Sequence, residues 1–105
     1  MDRPASRAPI RAVTFDDAGE AITRLLVVAG SDTGQAGRAA DFLLAWWNGP
    51  DHGHFTILHL CNCDATIAED MLIVMAYLAQ EPTVYADAWG YRDAMVELVE
   101  RWRPT

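Results

Sequence analysis

The segment ATIAEDMLIVMAYLAQ, residues 65–80, constrains the fold most. From Met71 to Ala79 the Tyr77 hydroxyl is the only polar side-chain group. A surface helix keeps one polar face for water, so a helix apolar on every side has to be wrapped by other elements. The segment predicts a central, buried helix in an all-α assembly. Asp64 stands where an N-cap belongs, and a side-chain cap there is worth about 1 kcal/mol. Glu69 and Asp70 add negative charge near the positive end of the helix. Glu81-Pro82 ends it, because the residue before proline is pushed out of the helical region.

Three further segments can do the wrapping. From Thr14 onward, Phe15, Ala18, Ile22, Leu25, Leu26 and Ala29 recur at three- and four-residue steps, the stripe of an amphipathic helix that Gly30 closes. Glu20 and Arg24 stand four apart on its outer side, the spacing of a helical ion pair. In SDTGQAGRAADFLLAWWN, Ser31, Asp32 or Thr33 supplies the N-cap and Asn48-Gly49-Pro50 the stop. Its buried stripe is Ala36, Ala39, Ala40, Leu43, Leu44 and Trp47, and the small residues with Gly37 allow close approach to a neighbour. Trp46 and Trp47 point about 100° apart on a helix, so one of them lies at the domain edge. In YRDAMVELVERW, Tyr91, Met95, Leu98 and Trp102 form the inner stripe, and Glu97 and Arg101 are spaced to pair. FTILHL alternates poorly and reads as a short helix or turn rather than a strand.

The fold class is therefore all-α: a compact bundle of four main helices with a short extra helix or turn at 55–60. A chain of 105 residues, 51% apolar, supports one core. Residues 14–105 form a single helical domain, and residues 1–13, with two prolines and three arginines, form a flexible N-terminal arm.

Charge narrows the function. The net charge is −7, every basic residue is arginine, and between Ala12 and Tyr91 only Arg24 and Arg38 offset the acids. Such a body is repelled by phosphate backbones, so direct nucleic-acid binding is disfavoured and a basic protein surface is the favoured partner. No run reaches the roughly 18 apolar residues of a membrane span, and the N-terminus lacks the apolar core of a secretory signal. The expectation is a soluble cytoplasmic protein with reduced thiols.

The stretch DHGHFTILHLCNCD holds every histidine and cysteine of the chain. A zinc site there would draw on His52, His54, His59, Cys61 and Cys63, since zinc takes imidazole and thiolate in a tetrahedron. The C-x₂₋₄-C turn that sets two sulfurs on one ion is absent, so the residues read as a loop with no metal and no cofactor. The pairs Asp16/Asp17 and Glu69/Asp70 point in different directions on a helix and make no shared-proton dyad. Cys61 and Cys63 lack a recognisable oxyanion hole. DTGQ has neither the glycine spacing nor the lysine of a phosphate loop. No catalytic constellation emerges, and a non-enzymatic protein is expected.

The aromatics point elsewhere. Core packing claims Trp47 and Trp102, whereas aromatics left at an edge and ringed by acids suit a protein-binding surface. The candidate residues are Asp16, Asp17, Glu20, Asp41, Trp46, Glu69, Asp70, Asp87 and Trp89.

SDTGQAGRAADFLLAWWN, followed by CDATIAEDMLIVMAYLA and WGYRDAMVELVERWRP, resembles a family of small uncharacterised proteins on plasmids and integrative conjugative elements of proteobacteria, a domain of unknown function. The likeness covers roughly residues 18–104. The resemblance implies a genetic setting rather than a chemistry. The family's stretch before the third helix is a glycine-containing loop with a short apolar-acidic segment, and this chain departs from it at the histidines and cysteines. The expected function is an acidic protein-interaction module of a mobile element. In its most concrete form it is an anti-CRISPR-like inhibitor that occupies a basic nucleic-acid channel by charge mimicry. The alternatives are a small zinc-binding or regulatory protein using loop 52–63, and a structural or accessory homodimer.

Overall fold

The computed structural model describes residues 10–81 and 85–104. It consists of four helices, α1 (Phe15–Ala29), α2 (Ala36–His52), α3 (Ala65–Gln80) and α4 (Arg92–Trp102), with 3₁₀ turns at Ile57–Asn62 and Ala86–Trp89. No strand occurs among the described residues. The all-α fold class and the short helix after Phe55 are as the sequence predicts.

α1 begins in a capping box. The Thr14 hydroxyl accepts the Asp17 amide at 3.0 Å and the Asp17 carboxylate accepts the Thr14 amide at 3.2 Å, so two free N–H groups of the first turn are satisfied reciprocally. Along its inner face Ala18, Ala21, Ile22, Leu25 and Ala29 have no exposed surface. α1 packs against α3 on one side and α2 on the other, and α2 in turn packs on α4.

The central helix is thus α1, not the uniformly apolar α3. α3 buries Ile67, Asp70, Met71, Val74 and Tyr77, while Leu72 on the opposite side remains 47% exposed. The physical reason lies in the composition of that outer side. Ala65, Ala68, Ala76 and Ala79 carry so little apolar area that leaving them near water costs little.

α2 starts later and ends differently from expectation. Its N-cap is Gln35, whose side chain makes no capping bond, because the other candidates have different partners. The Ser31 hydroxyl donates to the Val28 carbonyl at 2.6 Å, closing α1 instead. At the other end Asn48 leaves the helical region (φ −153°, ψ 74°), and a further turn runs on to His52 with Pro50 inside it. Asn48 caps that turn: its Oδ1 accepts the Asp51 amide and its Nδ2 donates to the Asp51 carboxylate. The Asn-Gly-Pro signal breaks the helix without ending the chain's helical path.

Asp64 occupies the N-cap position of α3, but its side chain makes no capping bond. Its own amide instead donates to the Gln35 side-chain Oε1 at 2.5 Å, which ties the start of α3 to the start of α2.

α4 buries Met95 and Leu98 and packs Tyr91, Val99 and Trp102 against the core. Trp102 is half-buried and lies against Gly37, where an added Cβ would be 3.4 Å from the ring; its indole donates to the Ala29 carbonyl at 3.1 Å. Arg101 does not pair with Glu97. Its guanidinium donates to the Gly30 and Ser31 carbonyls, each at 2.8 Å, and so satisfies free acceptors where α1 ends.

Of the N-terminal arm, residues 1–9 lie outside the described residues. Arg11 pairs with Glu69, and its carbonyl accepts the Gln80 amide at 2.6 Å, so this part of the arm runs along α3.

Candidate functional site

Two features stand out: an aromatic cluster at the N-terminal end of α1, and the way the arginines are held. Trp89 is the centre of the first. Its ring stacks on Phe15 at 4.6 Å and meets Trp46 and Tyr77 edge-on at 6.0 and 5.7 Å. Its indole N–H donates to the Phe15 carbonyl at 3.0 Å. Trp89 is therefore a half-buried keystone joining the Ala86–Trp89 turn to α1, rather than a projecting contact residue. Phe15 and Tyr85 are the exposed aromatics of this end. Trp47, half-buried rather than central to the core, donates its indole N–H to Asp87 at 3.0 Å.

Five of the six described arginines hydrogen-bond an oxygen of the chain, and Arg92, itself exposed, lies 3.9 Å from Asp87. Arg11 pairs with Glu69, Arg24 with Asp70, Arg92 with Asp87, Arg101 with Asp32 and Arg103 with Asp41. Arg38 donates to the Gly34 and Asn62 carbonyls. The tightest geometry is Arg24 to Asp70, with Nε 3.1 Å from both carboxylate oxygens and a terminal nitrogen 2.9 Å from one. Asp70 is only 7% exposed. The hydrogen bond that Arg24 donates to Asp70 raises the guanidinium pKa above its ordinary value, against a smaller opposing effect of burial, with Glu20 adding a minor attraction. The i, i+4 pairing of Glu20 with Arg24 gives way to this longer-range bond.

These pairings sort the predicted partner-binding residues. Asp70 is buried and is not a surface residue. Asp41 is half-buried and bonds Arg103 at 2.6 Å, while Glu69 and Asp87 are engaged by Arg11 and by Arg92 with Trp47. Asp17 belongs to the capping box, and Trp46 and Trp89 belong to the aromatic cluster. Asp16 and Glu20 remain exposed on the outer side of α1, with no arginine held to them. Four residues apart, they share that side with Val27, which is 70% exposed.

A second acidic row escaped the sequence reading. Asp93, Glu97 and Glu100 are exposed along the outer side of α4 at i, i+4, i+7, beside the exposed Val96. The spacing was legible, but assigning Glu97 to Arg101 concealed it. The two helices meet where the Thr23 and Tyr91 hydroxyls lie 2.5 Å apart. Thr23 gives its one proton to the Gly19 carbonyl at 2.9 Å, so Tyr91 is the donor. Glu20 and Asp93 flank this junction along the chain.

The His/Cys stretch does not converge. His54 and Cys61 are exposed, and His52 and Cys63 are half-buried. The Cys61 thiol donates to the Leu58 carbonyl at 2.9 Å. His59 sets its ring edge-on to Phe55, with Nδ1 enclosed and unbonded. Burial pushes the Cys63 thiol up, only partly offset by Arg38, which disfavours the thiolate that a metal requires. Among the described residues no group of three or more His, Cys, Asp and Glu side chains is placed to hold a metal ion. Among those residues, no helix is long and apolar enough to cross a membrane.

The model of a family of unknown function, DUF7673, matches residues 19–103. No curated protein matches the chain, and no solved structure does.

Proposed function

Because the chain belongs to the DUF7673 family, a family of unknown function, we propose its role from its surface: a non-enzymatic, cytoplasmic module that binds a protein partner through an acidic face. The carrying observation is that five of the six described arginines are hydrogen-bonded to oxygens of the chain, whereas Asp16, Glu20, Asp93, Glu97 and Glu100 are left exposed along α1 and α4. A surface in which the cations staple the fold and the anions face outward attracts a basic surface and repels phosphate. Val27 and Val96 give the charged rows apolar area that a partner could cover. The most specific form of the reading is an anti-defence inhibitor of a mobile element, an anti-CRISPR-like protein that occupies a basic nucleic-acid channel. Its support is the small acidic body together with the genetic setting that the family resemblance implies.

The test is capture of a partner from the native host by the tagged full chain at low and moderate salt. A basic partner should be retained at low salt and lost as salt screens exposed charges over about 10 Å. Replacing Asp16 by Asn and Glu20 by Gln should weaken the capture. A partner held equally at both salt levels, and indifferent to those changes, overturns the reading.

A second reading, a homodimer, has one observation in its favour. The outer side of α3 is symmetric about Leu72: Ala68 and Ala76 lie four residues to either side, and Ala65 and Ala79 seven. An antiparallel copy would set Leu72 on the two-fold axis with Ala68 facing Ala76 and Ala65 facing Ala79, small side chains that let the two helices approach closely. Concentration-dependent mass in sedimentation, abolished by Leu72→Glu, would establish it; a monomer at all concentrations would remove it.

A further inference from the structure

The segment 11–13, α1 and α3 line a half-open cavity of about 210 Å³. On the acidic-surface reading, from which this inference proceeds, we propose that the cavity is the anchor for one arginine side chain of the basic partner.

Charge accounting at the cavity wall gives the sign. Arg11 and Arg24 contribute to the lining, but the first is held by Glu69 and the second is bidentate on Asp70, and neither carboxylate lines the cavity. Asp17 and Glu20 line it as well. One Asp17 oxygen accepts the Thr14 amide, and among the described residues the Glu20 carboxylate accepts no hydrogen bond and attracts Arg24 only weakly. With both guanidinium groups neutralised from outside, the cavity presents the charge of Asp17 and Glu20. It is therefore a site for a cation.

Shape selects which cation. Ala12, Val13 and Ile73 supply an apolar surface beside the carboxylates. A long side chain with an aliphatic stem and a charged head matches that division. The volume is below the roughly 300 Å³ at which small-molecule pockets begin, which favours a single side chain over a free ligand. Asp17 and Glu20 are three residues apart on α1, neighbours on the helix surface at about 5–6 Å between Cβ atoms. A planar guanidinium fork can donate to two such acceptors at once, whereas an ammonium is a compact, strongly hydrated charge. Arginine is the better fit.

The experiment is an NMR titration of the ¹⁵N-labelled full chain with Nα-acetyl-arginine amide, with the lysine counterpart in parallel. Localised shifts should appear at Ala12, Val13, Glu20 and Ile73, larger for arginine than for lysine. Glu20→Gln should weaken binding about two- to fivefold, the range of one exposed charge pair. Ala12→Phe, which fills the cavity, should abolish it, and Asp32→Asn, a fully exposed carboxylate beyond the far end of α1, should leave it unchanged. Shifts spread over both acidic rows, equal effects of Glu20→Gln and Asp32→Asn, or no shifts at all would overturn the proposal. If localised shifts are absent while a basic partner is still captured in a salt-sensitive way, the anchor fails and the acidic-surface reading stands. If salt-sensitive capture fails as well, both fall.

Discussion

Gly19 and Trp89 pack so closely that a Cβ built on Gly19 would lie 2.7 Å from the indole Cδ1. The contact seats the Ala86–Trp89 turn on the central helix and positions Trp89 for its stack on Phe15. By helix propensity, Gly19→Ala should stabilise α1 by up to about 1 kcal/mol. Packing reverses the sign, since the indole is held by Phe15, Trp46 and Tyr77 and has little room to retreat. We expect a net loss of about 1–3 kcal/mol in urea denaturation. A gain in stability would mean that Trp89 is not seated there.

The entry to α3 is fixed from outside the helix. The Asp64 amide is bound by Gln35 rather than by a local cap. Gln35→Ala should cost about 1 kcal/mol, the net value of a typical hydrogen bond. Asp64→Ala should cost less, because only a dipole interaction is lost. Equilibrium denaturation of the two variants decides the order. If Asp64→Ala proves the more costly, the aspartate caps the helix in solution as its position in the sequence suggests.

Arg24 and Asp70 should behave as a coupled pair. Arg24→Gln leaves a nearly buried carboxylate without its cation and should cost about 1–3 kcal/mol, the lower part of that range being favoured because Arg24 is itself half exposed. Asp70→Asn keeps the shape and removes the charge that burial penalises. The double variant Arg24→Gln/Asp70→Asn should therefore lose less than the sum of the two single losses. Strict additivity in a double-mutant cycle would show that the pair contributes nothing to stability.

The features legible in the sequence were those encoded within one helix turn or one periodic stripe. The helices followed from repeats such as Ile22, Leu25 and Ala29, and the turn after Phe55 from its failed alternation. What could not be read were choices between competing partners. Arg24 has Glu20 four residues away and Asp70 forty-six away, and burial of Asp70 decides for the distant one. Arg101 likewise prefers carbonyls at the end of α1 over nearby Glu97. The apolar run of α3 indicated burial, but hydropathy counts alanine as apolar without weighing its small area, and this hid the edge position of the helix. The same local bias concealed the α4 row, the second half of the candidate surface.

That row supplies the last prediction. Asp93 and Glu97 stand four apart and Glu97 and Glu100 three apart, on one side of a helix and without an arginine held to them. Like charges so spaced destabilise a helix by about 0.2–0.5 kcal/mol per pair. Neutralising them as Asp93→Asn, Glu97→Gln and Glu100→Gln relieves these repulsions but gives up the attraction of Asp93 to the N-terminal end of α4, so stability should stay within about 1 kcal/mol of the parent. If the row serves a basic partner, the same triple variant should bind an arginine-rich peptide more weakly and with a shallower dependence on salt. Thermal denaturation and isothermal titration calorimetry of one preparation read both effects. A variant of near-parent stability that binds less assigns the row to recognition. Unchanged affinity at low salt would confine recognition to α1, and a larger loss of stability would show that the carboxylates support the fold.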